Sequence, residues 1–222
     1  VIDRVHWLGH AGFRLNGPPH EGPDARPIVY IDPWRLPDDL PLADLILVSH
    51  DHHNHCSPED IEKISHPDTI IVANERAAVL IGPRAQVLRP WQGGVVVGGV
   101  SVRAVPAYTL ERAFHAKAYS GLGFLIGMLR HEIYFAGDTD AVPEMEKIGC
   151  DIALLPVGGA FTMGYAEAAQ VANRMRPLYA IPMHYGLEIA GSQDDGRRFC
   201  ELVDEGVYAC ELPIENSNFW PL

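Results

Sequence analysis

The sequence has 222 residues, 47% of them hydrophobic, and a formal net charge of −12. That length and apolar share suit a sizeable core in one domain over 1–222, with two closely packed halves at about 1–107 and 108–222. The acidic balance works against binding nucleic-acid backbones, which calls for clustered lysine and arginine, and no stretch approaches the roughly 20 apolar residues of a membrane span.

Taken in order, Val5 to Leu15 and Ile28 to Ile31 read as strands of a hairpin, separated by the Gly/Pro-rich stretch Asn16 to Pro27 as a mobile tip. Leu45 to Val48 is a short apolar run suited to a strand buried on both faces. Ser57-Pro58-Glu59-Asp60 reads as an N-cap, a first-turn proline and an acidic first turn, opening a helix to about Ser65. Thr69 to Ala73 is a strand, and Glu75 to Ile81 a helix closed by Gly82-Pro83. From Gln86 to Ala107 the β-branched, glycine-punctuated text predicts antiparallel strands at Val87-Leu88, Val95 to Val97 and Val100 to Val105. A loop, Pro106 to Ser120, precedes strands at Gly123 to Leu129 and Glu132 to Ala136. Then come a short helix (Pro143 to Ile148), a strand (Ile152 to Leu155), a helix (Tyr165 to Met175) and a strand (Leu178 to Met183). A last helix, Asp194 to Asp204, turns Phe199 and Leu202 inward, and Tyr208 to Leu212 closes as a strand.

Four cysteines, at 56, 150, 200 and 210, form no Cys-x-x-Cys pair and read as reduced buried thiols of a cytoplasmic protein. The first ten residues carry neither a basic lead nor a long apolar run, so no secretory signal is expected among them.

The densest chemistry lies in His50-Asp51-His52-His53-Asn54-His55, four histidines in six residues at the end of an apolar run. If the strand of Leu45 to Val48 continues, His50 and His52 leave the same face, and a sharp turn into the next helix brings His55 back toward them. Converging neutral imidazoles are ligands for zinc and similar divalent ions.

This run resembles the His-x-His-x-Asp-His signature of the metallo-β-lactamase-fold hydrolases, with Asn54 where the family usually has aspartate. Further landmarks follow in family order. They are Trp7 to Phe13, Phe135-Ala136-Gly137-Asp138-Thr139, Leu155 to Gly159, and Ile181-Pro182-Met183-His184-Tyr185-Gly186. The branch that includes the ascorbate-6-phosphate lactonase-like proteins is the nearest in pattern. The resemblance implies a four-layer αβ/βα sandwich, two mixed β-sheets face to face with helices outside, and a centre for one or two zinc ions, with manganese, nickel or iron as alternatives.

By that resemblance His50 and His52 match ligands of a first metal, Asn54, His55 and His184 those of a second, and Asp138 the bridging carboxylate. A further first-metal histidine expected near Tyr108 is missing, and His115 is the nearest replacement, either as a ligand or substrate contact or as a solvated loop histidine with no site role. Tyr108 could line the pocket. His10 matches a histidine near the metals of the lactonase-like branch, against a packing role at a strand end. His53 alternates away from its neighbours; Asp32 and Asp140 are either supports of ligands or plain turn residues; Gly158-Gly159 allows close backbone approach or a tight turn; Cys56 reads as packing. His6, His20, His66 and His131 have no partner pattern.

The expected activity is metal-dependent hydrolysis of an ester-like bond, lactone or phosphodiester, in a small substrate that is open to being anionic. A metal- or ligand-binding protein with weakened catalysis is the alternative, because the Asn54 amide carries no charge. The charge balance makes a nuclease the least favoured reading. Oligomeric state stays open, a homo-oligomer included.

Overall fold

A computed structural model describes residues 1–19, 26–187 and 190–219. His20 and the tip of the predicted first hairpin lie outside the described residues.

Six strands form the first sheet in chain order: β1 (Val5–Gly9), β2 (Gly12–Asn16), β3 (Ile28–Ile31), β4 (Leu45–Val48), β5 (Ile70–Ala73) and β6 (Ala85–Val87). Neighbours are antiparallel from β1 to β3 and parallel from β3 to β6. The second sheet comprises β7 (Gly93–Val97), β8 (Val100–Pro106), β9 (Leu122–Met128), β10 (His131–Phe135), β11 (Ile152–Pro156), β12 (Tyr179–Met183) and β13 (Tyr208–Ala209), again adjacent in sequence order. It is antiparallel through β10 and parallel from there on. Parallel pairs need crossovers, and four helices supply four of the six: α1 (Pro58–Lys63), α2 (Glu75–Ile81), α3 (Tyr165–Met175) and α4 (Asp195–Leu202), while β3 to β4 crosses by a loop and β10 to β11 by a 3-10 segment.

Strand alternation sorts the side chains into two cores. Phe13, Leu15, Val29, Ile31, Leu45, Leu47 and Val72 pack with the second sheet's Phe124, Ile126, Ile133, Phe135 and Leu154. Phe13 meets Phe135 edge-on at 6.2 Å. Tyr30, Ile46, Val48, Ile71 and Ala73, one residue out of phase, face Ile61 of α1 and Ala77 of α2 on the other side. This is the α/β sandwich with two mixed sheets. Truncating a fully buried aromatic such as Phe13 costs about 3–5 kcal/mol. No described helix is long and apolar enough to cross a membrane.

The capping signals before α1 and α2 act as the chemistry requires. Ser57 accepts from the Asp60 amide at 3.3 Å, and Asn74 Oδ1 from the Ala77 amide at 2.9 Å.

Several expectations are corrected. Val5 to Leu15 is two strands, broken at His10-Ala11, because Gly9 takes a positive φ of 95° where any Cβ would strike the Phe219 ring. Val87 lies in β6, which runs parallel to β5 in the first sheet; only β7 and β8 form the expected antiparallel pair. β4 stops at Val48, since Ser49 turns to bond Asp32, so the loop and not a continued strand brings His50 and His52 together. Residues Pro143–Lys147 form a 3-10 turn. Leu202 is 48% exposed, because α4 ends there and buries Phe199 alone of the two. The last strand is only Tyr208–Ala209.

Candidate metal centre

Both sheets deliver their chemistry to one edge. Asp32 follows β3, His50 to His55 follow β4, Asp138 follows β10, Gly158 follows β11 and His184 follows β12, all at carboxyl ends of parallel strands. His10 comes from the β1–β2 turn and His115 from the loop after β8. Ten described non-glycine residues have positive φ, and four of them are His10, Asp32, His115 and His184. Such backbone strain gathers where surrounding contacts over-determine a working geometry.

The histidine loop is held from below. Asp32 accepts from the Ser49 amide at 2.7 Å, from the Ser49 hydroxyl at 2.6 Å and from His55 Nδ1 at 2.7 Å. The Ser49 hydroxyl has thus spent its proton on Asp32, and it accepts from His50 Nδ1 at 2.9 Å. His115 Nδ1 donates to the Phe161 carbonyl at 3.1 Å. Each of these three rings has its Nδ1 proton engaged, which turns Nε2 toward the centre.

Two donor sets result, meeting at Asp138. In the first, His52 Nδ1 lies 3.0 Å from both His50 Nε2 and His115 Nε2. In the second, His10, His55 and His184 group within metal-ligating range. Asp138 Oδ2 stands 3.2 Å from His115 Nε2, 3.2 Å from His184 Nε2, 3.3 Å from His55 Nε2 and 3.8 Å from His50 Nε2. Donors on one tetrahedral zinc ion lie about 3.3 Å apart, given bonds of about 2.0–2.1 Å. Moreover His184 Nδ1, His10 Nδ1 and Asp138 Oδ1 are buried and lack a hydrogen-bond partner. Burying such atoms unpaired is costly. The residues present therefore fit divalent cations.

Electrostatics sets His55 apart from its neighbours. Burial depresses His50 well below the usual imidazole range, and it lowers His52 and His115 too, so these rings are neutral at pH 7. Burial also lowers His10, with the neighbouring His184 and His55 adding to it. For His55 burial acts the same way but is outweighed by the Asp138 and Asp32 carboxylates, which push it up to about 10. Burial raises Asp138, and the imidazoles of His184 and His55 more than reverse this, holding it well below the carboxylate range.

The remaining candidates separate cleanly. Asn54 Nδ2 lies 2.6 Å from His10 Nε2, beside the second set. His53 is exposed and packs edge-on against Trp34 at 6.0 Å. Tyr108 does not reach the pocket; its hydroxyl donates to Glu144 at 2.8 Å. Asp140 accepts from the Leu110 amide and Arg112 Nε, both at 2.9 Å, and so anchors the loop that carries His115. A Cβ at Gly158 would collide with the carbonyls of His184 and Ala190, so close backbone approach is the reason for that glycine. Cys56 is packed in the outer core, but the expected burial fails for Cys150, Cys200 and Cys210, which lie half-buried against the inner core's margin; His6, His66 and His131 lie away from the centre. Sequence reasoning missed Ser49, the Phe161 carbonyl and the Trp7 indole, which donates to the His10 carbonyl at 3.0 Å. Backbone acceptors leave no mark in a sequence.

The family described as beta-lactamase superfamily domain matches residues 4–184, a span that contains every donor from His10 to His184. The chain belongs to the metallo-β-lactamase superfamily. It is 36% identical over 204 residues to a UPF0173 metal-dependent hydrolase of Thermoplasma acidophilum, covering 82% of this chain and 83% of that relative. Among solved structures, a protein of Parabacteroides distasonis classed by inference as a metal-dependent hydrolase superposes with a TM-score of 0.77 at 27% identity, covering 93% of this chain and 91% of its own. A metallo hydrolase of Ignicoccus hospitalis shares the fold with a TM-score of 0.73 at 21% identity over 94% of each chain. The chain is thus a metal-dependent hydrolase of this superfamily, and its histidine cluster falls where the superfamily's fold brings strand ends together.

Proposed function

We propose that this hydrolase cleaves an ester-like bond of a small substrate, a lactone or a phosphodiester, at a centre for two divalent cations. One observation carries the reading: Asp138 Oδ2 stands within 3.8 Å of Nε2 of His50, His55, His115 and His184, which come from three separate segments. His50, His52 and His115 would hold one cation, and His10, His55 and His184 the other, with Asp138 between them. Asn54, beside His10, adds at most a neutral amide oxygen. Zinc suits so nitrogen-rich a set, while the metal loaded in a cell also depends on supply.

Bound there, divalent cations supply Lewis acidity and bring the pKa of a water toward about 7. The chain's own residues do the rest. Asp32 and Ser49 fix the tautomers of His55 and His50, the anionic Asp138 offsets cationic charge, and the cavity over His52, His115 and His184 admits the scissile group. The resemblance to the lactonase-like branch supports the lactone option. The four free cysteines go with a reducing, cytoplasmic setting.

Elemental analysis of the purified protein, beside Asn54→Asp, tests the reading. Two equivalents of metal per chain, with turnover of at least one lactone or phosphodiester that stops on chelation, is the expected result; turnover indifferent to metal removal overturns it. The uncharged Asn54 favours a second reading, a binding protein on the same scaffold, which two bound cations without turnover on either panel would establish.

A further inference from the structure

Above the donor cluster lies a cavity of about 190 Å³ whose wall includes Phe114, Phe161 and Ala190. It is smaller than the roughly 300–1,000 Å³ typical of sites for drug-sized ligands. Phe114 is 49% exposed, and its ring meets Phe161 edge-on at 5.0 Å. These rings are tied to the donors. The Phe161 carbonyl accepts from His115 Nδ1 at 3.1 Å, and the Phe114 carbonyl accepts from the Thr109 hydroxyl in the same loop.

Among the described residues no lysine or arginine lines this cavity. The cations on the flanking loops are engaged elsewhere. Arg112 bonds Asp140 at 2.9 Å and the Gly159 carbonyl at 2.7 Å; Lys117 bonds Glu144 at 2.8 Å; Arg76 bonds Asp51 at 2.9 Å. A phosphodiester carries a permanent negative charge on two non-bridging oxygens. Cations at the donor cluster would meet one of them, and the rest of the group would face aromatic rings whose faces are themselves electronegative. An uncharged ester brings no such charge, and an apolar group seated against the rings leaves water favourably.

We propose that the substrate is a carboxylic ester or lactone with an apolar acyl part that sits against Phe114 and Phe161. The proposal rests on the hydrolase reading above. In the reaction a water oxygen bonds to the acyl carbon and the acyl carbon to alkoxy oxygen bond breaks. One water proton ends on the leaving alkoxy oxygen, the other is released to solvent, and the acid leaves as a carboxylate.

The test uses metal-loaded protein, native and Phe161→Ala, with Phe161→Leu as the conservative variant. Hydrolysis is measured on p-nitrophenyl acetate, butyrate and hexanoate and on bis(p-nitrophenyl) phosphate. Calorimetry measures binding of acetate, hexanoate and phenyl phosphate, a readout that does not depend on turnover. Each fully buried methylene favours binding about fourfold, so with even two of the four added methylenes buried, kcat/KM and carboxylate affinity are expected to rise about tenfold or more from acetyl to hexanoyl. Phe161→Ala flattens both trends while keeping its metal, and Phe161→Leu restores most of the slope. A phosphodiester cleaved faster than every ester overturns this substrate class and leaves the hydrolase standing. Equal affinity for acetate and hexanoate overturns it whatever the turnover. Preference for hexanoate with no turnover of either class supports the apolar seat and overturns the hydrolase reading instead.

Discussion

The two donor sets share Asp138 but are built differently. His10, His55 and His184 are all buried, and each is braced by the fold's framework: Asp32 holds His55, and the His10 carbonyl receives both the Trp7 indole and the His184 amide. The other set is looser. His52 is half-buried, and His115 arrives on a loop held by Asp140 and the Phe161 carbonyl. The electrostatics differ as well, since His50, His52 and His115 are neutral without a metal while His55 is held protonated between two carboxylates. A framework-braced set that contains the protonated His55 and a loop-borne set of neutral rings within the same centre imply that the two proposed cations would bind with distinct affinity and pH dependence.

The most severe break of that contrast is to remove what the sets share. Asp138→Ala should abolish both metal equivalents and lower kcat/KM by about a thousandfold or more, read by elemental analysis and ester hydrolysis. Next in size, His115→Ala should lose the first cation and keep the second, whereas His55→Ala should do the reverse; identical loss in both variants would show one undivided site.

Proton release sharpens the comparison further. The folded pKa of His55 is raised to about 10 from about 6.5, so in the metal-free chain its ion pairs add stability below pH 6.5 that is lost as pH climbs through 10. A ligand must be deprotonated to bind metal. Filling the buried set at pH 7 should therefore release about one proton, with affinity rising about tenfold per pH unit, while filling the neutral set releases none. Calorimetry in buffers of different ionisation heat counts the protons. Asp32→Asn, which weakens the hold on His55, should reduce metal affinity of the buried set by about 10–100-fold.

How much of this was legible beforehand follows from what side chains record. The histidine run, Asp138 and His184 stand in short motifs at strand ends, so these residues could be named from the chain, while the sandwich follows only from the family resemblance those motifs carry and not from the strand and helix pattern. The break at His10-Ala11 is less plain, because it turns on positive φ at Gly9 and at the non-glycine His10, and what requires a glycine at position 9 is the Phe219 ring, a contact some 210 residues away. Likewise Val87 looks the same in a parallel edge strand as in an antiparallel one; only its partners in β5 decide. His115 reads equally as ligand or loop residue from the chain alone, since nothing in its sequence neighbourhood reveals that Asp140 and a backbone carbonyl on another loop reel it in.

That tether gives the smallest and most selective prediction. Asp140 is buried and accepts from the Leu110 amide and from Arg112, while Arg112 also reaches the carbonyls of Gly159 and Ala160. In Asp140→Asn the amide oxygen can still serve one of the two donors but not the charge of the guanidinium, so one charge-assisted hydrogen bond is lost, worth about 1.5–3 kcal/mol at most. Arg112 retains its two carbonyls, and the fold should survive with a melting temperature lower by a few degrees. The cost should fall on His115 alone: affinity for the first cation is expected to drop about three- to tenfold with the second unchanged. Equal weakening of both would mean that the loop stabilises the whole strand edge, and the division into a framework-braced and a loop-borne set would then be wrong.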